Sequence, residues 1–261
     1  MKTRIWQLTA IVVIAGVIGS FSGCAGERRA RLPEQDLTPF QRLVDRWTAE
    51  YSYRRTVGGD DLVSQSDAII ERPTHEERLH ISATLFADTL VKAEIERICE
   101  EDTIVVSCDS IAAGYAARHN WPKWFRVEIS THANLPEPFA LEPLTIYITD
   151  ENDISYEPVK REFATTRLEE RSYLDREVKR YDPYTSWEYR VYEYQQGVEY
   201  ASSGHATLYF ERVNVVGRDL LDDPDAQLVM TFRTRRSDIA SLTWNLADIR
   251  RQIEVDAELT P

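Results

Sequence analysis

The chain has 261 residues, with 31 Lys and Arg against 44 Asp and Glu, and a formal net charge of −13 at pH 7. Hydrophobic residues make up 43% of the sequence and aromatic residues 10%. This composition indicates a globular protein and excludes disordered, collagen-like, coiled-coil and polytopic membrane classes. The net acidity argues against a nucleic-acid partner, because phosphate binding requires a surplus of Lys and Arg.

The first 23 residues have the pattern of an export signal. A start with two basic residues precedes the apolar run 8–18 (LTAIVVIAGVI), which is shorter than the roughly 20 residues that span a bilayer. Residues 21–24 (FSGC) resemble the lipobox of bacterial lipoproteins, with Phe in place of the usual Leu. We therefore expect 1–23 to be a signal peptide and Cys24 to become a lipidated N-terminus. The alternatives are an ordinary secretory signal with an incidental cysteine and an uncleaved anchor.

These features predict a location in the bacterial cell envelope, with the lipid bilayer bound through the acylated Cys24. Ala25 favours the outer over the inner membrane, by resemblance to lipoproteins of Gram-negative bacteria. Residues 24–39 are polar, contain prolines and lack aromatic residues, which predicts a lipidated tether. The remaining residues, 40–261, are enough for a single β-rich domain with one core.

Two cysteines remain once Cys24 is assigned to lipid. An exported protein with two further cysteines most often pairs them, so we predict a structural disulfide between Cys99 and Cys108. The alternatives are two free buried thiols or a reactive pair. A redox pair is usually C-x-x-C, and no His or Cys cluster lies nearby to complete a metal site.

Helical spacing and capping residues predict several helices. Thr38-Pro39 indicates a helix start, and a second helix capped by Asp88 places Cys99 in its last turn. Asp109 or Ser110 is expected to cap a short helix that ends at His119. The remaining helical predictions are the charge-dense segment Lys160–Asp182, interpreted as a partly helical insertion, and a short exposed helix over Asp248–Leu259.

Most other segments alternate apolar and polar residues with period two, which predicts β-strands. The predicted strands are Trp47–Tyr53, Glu77–Phe86, Ile104–Cys108, Phe125–Ile129, Leu144–Ile148, Ile154–Tyr156, Trp187–Tyr194, His205–Arg212, Ala226–Arg233 and Ala240–Leu246.

The fold class expected from these elements is α+β, mainly an antiparallel β-sandwich with a few helices at the N-terminal side and one long charged insertion at about 160–182. The segments WFRVEIS, LEPLTIYITDENDISYEP, HATLYFER, AQLVMTF and IASLTWNL resemble the immunoglobulin-like β-sandwich modules of bacterial lipoproteins. The segment LHISATLFADTLVKAEIERIC, with these strands, resembles uncharacterised lipoproteins of Gram-negative bacteria. The resemblance implies the fold and the compartment and carries over no functional residue.

No local motif predicts a catalytic, cofactor-binding or metal-binding residue. The five histidines have neither H-x-x-x-H nor H-x-H spacing, which favours surface or strand positions; they are His75, His80, His119, His132 and His205. Ser203 with His205 is the nearest approach to a nucleophile pair, but it lacks the G-x-S-x-G elbow and is interpreted as part of a turn before a strand.

Acidic loops and aromatic residues leave two binding hypotheses open. Asp150, Asn152, Asp153 and Glu157, and separately Asp222, Asp223 and Asp225, offer oxygen ligands for Ca²⁺, or else they form solvated turns. The aromatic residues between Tyr184 and Tyr200 form either a binding surface or a strand buried on both sides.

The function expected from the sequence is that of a membrane-tethered envelope lipoprotein with a non-enzymatic interaction or structural role and an envelope protein as partner. The alternatives are a ligand-binding module for carbohydrate, peptide or Ca²⁺, and an unrecognised envelope hydrolase.

Overall fold

The structure is a computed structural model, and it describes residues 37–59, 61–63, 68–71, 73–101, 107–164, 166–180, 191–214, 216–223 and 226–258. From Leu37 onward the chain forms one compact unit.

Four helices and twelve strands make up the described residues. The helices are α1 (Pro39–Arg46), α2 (Asp88–Glu101), α3 (Cys108–His119) and α4 (Leu246–Glu258). The strands are β1 (Thr48–Val57), β2 (Asp61–Val63), β3 (Ala68–Glu71), β4 (His75–Phe86), β5 (Trp124–Leu135), β6 (Thr145–Thr149), β7 (Ser155–Tyr156), β8 (Lys160–Phe163), β9 (Arg167–Arg180), β10 (Val191–Glu211), β11 (Gln227–Arg233) and β12 (Asp238–Asn245).

The strands form two antiparallel sheets. The large sheet has the order β1-β4-β5-β10-β9-β3-β2, with β8 also pairing with β10. The small sheet has the order β12-β11-β6-β7. One hydrophobic core includes buried side chains of both sheets, so the predicted α+β class with a mainly antiparallel β-sandwich is confirmed.

Period-two alternation places the core residues. On β4, the buried Leu79, Ile81 and Leu85 point inward, while His80 and Ser82 point to the opposite side, which we call the outer face of the large sheet. The neighbouring strands repeat this pattern. Their buried inward residues are Phe125, Val127, Ile129, Ala133, Ala206, Leu208 and Phe210.

The predicted helix at Pro39 is confirmed with its cap. The Thr38 hydroxyl accepts a hydrogen bond from the backbone N–H of Gln41, and the Gln41 side chain accepts one from the Thr38 N–H. The predicted helix that ends at His119 begins earlier than expected, at Cys108, because Ser107 is its N-cap. Cys108 therefore lies in a helix and not in a strand, while residues 104 and 106 lie outside the described residues.

The charged segment that follows Lys160 is not helical in its described part. It forms β8 and β9, which pair along β10, and the apolar residues that suggest a helical period belong to an extended strand. Most side chains of β9 are charged or partly exposed, so no buried face imposes a period-two pattern on the sequence.

Strand β10 also differs from its prediction. Residues 202–204, interpreted as a turn, lie inside a single strand of 21 residues. The terminal helix α4 is confirmed as an element, but one side of it packs on the core through the buried Leu246 and Ile249, so it is not a freely exposed helix.

Candidate functional site

The most elaborate polar cluster of the described residues is centred on Arg126. This residue is 6% exposed and lies on the outer face of β5, between Phe86 of β4 and Tyr209 of β10 in register. Its guanidinium carbon lies 3.8 Å from the centroid of the Phe86 ring, a distance typical of a cation–π contact. Helices α2 and α3 contact this end of the sheet through the bonds described next.

Glu94 of α2 neutralises the buried arginine. Its Oε2 atom accepts hydrogen bonds from Arg126 Nη2 at 2.5 Å and from the Tyr115 hydroxyl of α3 at 2.7 Å. Burial raises the pKa of Tyr115 well above its usual value, so this hydroxyl remains a donor. One carboxylate therefore holds α2, α3 and β5 together.

His119 extends the cluster to β10. Its Nε2 atom lies 3.2 Å from Arg126 Nη1, and its Nδ1 atom lies 3.1 Å from the Tyr209 hydroxyl. Because a guanidinium only donates, Nε2 accepts and the proton resides on Nδ1. The Tyr209 hydroxyl accepts from Nδ1 and donates to Glu162 Oε2 at 3.2 Å.

The electrostatics of the cluster agree with this direction of hydrogen bonds. Burial, followed by the positive charge of Arg126, lowers the pKa of His119 to about 4, so the imidazole is neutral at pH 7. Burial raises the pKa of Tyr209 to about 12, with the Glu162 carboxylate acting in the same direction. Each bridging group thus keeps the protonation state that its hydrogen bonds require.

The chemistry open to this cluster is limited. A general base needs a free lone pair within reach of a substrate proton, and the only lone pair of the His119 ring is taken by Arg126. The arrangement holds two helices and three strands in place and presents no nucleophile with an adjacent free base. We call it the Arg126 network: Glu94, Tyr115, His119, Arg126, Tyr209 and Glu162.

The sequence did not predict this network. Its members come from α2, α3 and three strands, so no local spacing connects them. In the sequence, Arg126 lies between two apolar residues that point to the core. A solvent-exposed strand residue shows the same pattern. For His119 the sequence predicted only a surface or strand position, because no metal-binding spacing joins the histidines.

A second cluster surrounds Arg212, which follows β10 and is 9% exposed. Its Nη1 atom donates to both carboxylate oxygens of Asp88, at 2.7 and 2.8 Å, and it also pairs with Asp219 and Asp222. The indole N–H of Trp121 donates to the same Asp88 at 3.0 Å. The cluster joins the start of α2 to the chain that follows β10. Its role is therefore structural.

Several of the acidic residues considered for Ca²⁺ have other partners, and position 225 lies outside the described residues. Asp150 accepts hydrogen bonds from two backbone N–H groups of its own turn and from the Tyr156 hydroxyl at 2.8 Å. Arg218 forms ion pairs with Glu151 and Asp223. In the described ranges, no three or more His, Cys, Asp or Glu side chains are grouped to hold a metal ion.

Ser203 and His205 both lie on the outer face in the middle of β10, where they pair with His132 and Ser130 of β5. Among the described contacts, no hydrogen bond joins Ser203 to His205. The neighbouring Ser202 points into the core and is 6% exposed. The structure therefore does not bring this pair together as a nucleophile and base.

Cys99, in the last turn of α2, and Cys108, the first residue of α3, lie at disulfide distance, as the predicted pairing requires. The predicted signal peptide 1–23, the lipidation site Cys24 and the tether up to residue 36 lie outside the described residues, as do aromatic positions 184, 187 and 189. None of the helices in the described part of the chain has the length and hydropathy needed to cross a bilayer.

A comparison with protein families, with curated proteins and with solved structures finds no match to this chain.

Proposed function

We propose that the protein is a lipid-anchored component of the bacterial cell envelope, with an interaction or structural role and no catalytic one. The N-terminal pattern that ends at Cys24 supports the anchor. The bonded Cys99 and Cys108 support an oxidising compartment, because disulfides persist mainly outside the cytosol.

The observation that carries the interaction role is a pair of exposed apolar side chains on the hairpin of β9 and β10. Strand β10 pairs with β5 only over residues 200–211, whereas it pairs with β9 over 191–203, so the hairpin extends beyond the end of β5. On this hairpin, the side chains of Leu168 and Val198 are 50% and 38% exposed.

The two side chains share one face of the sheet. Leu168 pairs with Ser202, and Val198 lies four residues before Ser202 on the same strand, so both point to the side that is buried further along β10. The inward-facing side of the large sheet thus extends along the hairpin beyond the part that is buried in the core. We call Leu168 and Val198 the hairpin strip. Leu168 and Val198 lie four residue rows apart on this face, and we infer that they mark a surface that contacts another protein.

The hydrolase alternative has less support in the described residues. Both ring nitrogens of His119 are engaged in hydrogen bonds, and Ser203 is not bonded to His205. Active sites require convergent groups with a free reactive atom, and neither cluster offers one.

Site-directed photo-crosslinking in native cells tests the interaction role. A photoreactive residue at Leu168 or Val198 is expected to capture the same envelope protein. Val216, which is 77% exposed and lies after β10, is the matched control and is expected to capture nothing specific. Identical products from all three positions, or no product from the hairpin strip, would show that the strip is not the contact surface.

A labelled fatty acid tests the anchor separately. The wild type and the control variant Cys99→Ser are expected to incorporate label, and Cys24→Ser is expected to lose it, because the acyl chains would be attached at residue 24. Equal labelling of the wild type and Cys24→Ser contradicts the lipoprotein assignment.

A further inference from the structure

Three of the five histidines in the chain lie on the outer face of the large sheet, on adjacent strands. His80 of β4 is directly opposite His132 of β5 in the antiparallel register. His205 of β10 is opposite Ser130, one diagonal step from His132. Pairing between strands therefore brings together histidines that are far apart in the sequence and have no metal-binding spacing along it.

The register places the two opposed imidazoles within chelating reach. Residues directly opposite on an antiparallel pair have Cβ atoms about 4.5–5.5 Å apart. Imidazole nitrogen binds Zn²⁺ at about 2.0–2.1 Å, and imidazole also suits Cu²⁺ and Ni²⁺. Two rings on the same face can therefore reach a common ion above the sheet, with water completing its coordination.

A third side chain already orients one of these rings. The Nδ1 atom of His80 lies 2.9 Å from the hydroxyl oxygen of Ser52, its cross-strand neighbour on β1. When the ring donates from Nδ1, the lone pair on Nε2 is left for a ligand. Metal-binding histidines are commonly held in this way, with the second nitrogen bonded to a protein oxygen.

The pair lies away from the part of the sheet that the helices contact. The helices contact the outer face at the Arg126 network, where Phe86 and Tyr209 are buried, while His132 is exposed and His80 is half-buried. Three described residues on three neighbouring strands, Ser52, His80 and His132, thus form one row across the part of the face that lies away from the Arg126 network.

We propose that His80 and His132 chelate one divalent transition-metal ion, Cu²⁺, Ni²⁺ or Zn²⁺, with Ser52 positioning the His80 ring. Two protein ligands, with water completing the coordination, make an exchangeable site. The order of affinity follows ligand chemistry, with Cu²⁺ bound more tightly than Ni²⁺ or Zn²⁺. This site does not depend on the function proposed above.

Calorimetric titration of the metal-free, full-length protein in detergent with CuSO₄, NiCl₂ and ZnCl₂ tests the site. One ion per chain is expected, with Cu²⁺ tightest. His80→Asn and His132→Asn should each weaken Cu²⁺ binding about tenfold or more, and Ser52→Ala should weaken it about tenfold through loss of the ring's partner. His205→Asn and His75→Asn are the matched controls and should bind as the wild type does.

Electron paramagnetic resonance of the Cu²⁺ form gives an independent readout, because two coordinated imidazoles produce a nitrogen hyperfine pattern that each single variant should simplify. Circular dichroism checks that the variants are folded. Unchanged Cu²⁺ affinity in His80→Asn or His132→Asn overturns the proposal. An equal loss in His205→Asn also overturns it, because the ion would then be shared by scattered surface histidines.

Discussion

At the scale of single residues, Arg126 shows how a buried charge is held. Its guanidinium contacts Glu94, His119 and the Phe86 ring, and only 7% of its side chain is exposed. Removing one member of a buried ion pair leaves the other charge without compensation. The stability of this end of the sheet therefore depends on both partners being present.

We expect Arg126→Met to lower the free energy of unfolding by about 3–5 kcal/mol, because the largely buried Glu94 carboxylate, 16% exposed, is left without its cation. The double variant Arg126→Met/Glu94→Gln should lose less, since the orphaned charge is gone. Arg251→Met is the control, because Arg251 is 74% exposed and 3.6 Å from Asp248, and should change stability by less than about 1 kcal/mol. Urea unfolding at pH 7 measures all three, and equal losses in Arg126→Met and Arg251→Met would contradict the prediction.

His119 predicts a pH dependence of stability with a defined sign. Its pKa is about 4 in the folded protein and about 6.5 in an unfolded chain. Between these values the unfolded chain binds a proton that the folded protein does not, so its contribution is complete above pH 6.5 and is lost as the pH falls toward 4.

We therefore expect the wild type to lose more stability than His119→Asn when unfolding is measured at pH 7 and again at pH 4.5. The comparison with the variant removes the contribution of carboxylates that titrate in the same range. The same pH dependence in both proteins would show that His119 is not held neutral by its surroundings.

At the scale of elements, the disulfide fixes the two helices that build the Arg126 network. Glu94 belongs to α2, and Tyr115 and His119 belong to α3, so the bond between Cys99 and Cys108 holds the network's helical half together. A covalent link across a short loop restricts the unfolded chain more than the folded one.

The double variant Cys99→Ser/Cys108→Ser is expected to lose about 2–4 kcal/mol of unfolding free energy, and the chain-entropy relation gives about 2.7 kcal/mol for a loop of this size. Urea unfolding with and without a thiol reductant measures the effect. The reductant should destabilise the wild type and leave the double variant unchanged. Two free thiols in the unfolded, unreduced protein would contradict the bond.

Two glycines predict opposite effects of the same substitution. A Cβ atom at Gly197 of β10 would clash with the Tyr173 ring of β9. That ring also contacts the His75 ring in a tilted arrangement, with centroids 4.2 Å apart. A Cβ atom at Gly114 inside α3 has no neighbour within 4 Å. One site is already filled by an aromatic ring, and the other is open.

Gly197→Ala should therefore destabilise the protein by about 1–3 kcal/mol, because the Tyr173 ring must move. Gly114→Ala should stabilise it by about 0.5–1 kcal/mol, since alanine has the better helix propensity. Thermal unfolding compares the two, and hydrogen exchange should place the loss in Gly197→Ala on β9 and β10. A stabilised Gly197→Ala would mean that the ring leaves this site free.

At the scale of the whole molecule, one core links both sheets and the terminal helices. The indole N–H of Trp244 on β12 donates to the backbone oxygen of Trp47 at 2.9 Å, and both side chains are at most 2% exposed. The same oxygen accepts from the N–H of Leu85 on β4. The small sheet, the end of α1 and the large sheet meet at this point.

We expect Trp244→Phe to lower the unfolding free energy by about 1–3 kcal/mol through loss of this hydrogen bond and of buried volume. Because the core is continuous, tryptophan fluorescence and far-ultraviolet circular dichroism should report one coincident transition in both proteins. Separate transitions for the two probes would show that the sheets unfold independently.

Sequence patterns predicted the elements that have one buried and one open side. β4, β5, β6, β11 and β12 show alternation over most of their length because one face packs in the core. β9 was not predicted because its described side chains form no fully buried face. Cys108 was placed in a strand because the capping role of Ser107 was not recognised.

The two side-chain clusters could not be predicted from the sequence, for a different reason. The Arg126 network and the opposed His80 and His132 are created by strand register and helix placement, which join positions dozens of residues apart. One sequence alone does not show which residues of two paired strands lie opposite each other. The disulfide could be predicted because the prediction needs only an oxidising compartment and the number of remaining cysteines. It does not require knowledge of the strand register.

The contact between the first and last helices has a consequence for chain connectivity. Arg46, at the end of α1, lies 3.2 Å from Asp256 near the end of α4. Since α1 has 8 residues, its start is about 10 Å from Arg46, a gap that a short glycine-rich linker can bridge. A circular permutant that joins these ends and opens the turn between Thr234 and Ser237 would keep every strand pairing described above. The strand pairings of the sandwich therefore do not depend on the element at which the chain begins.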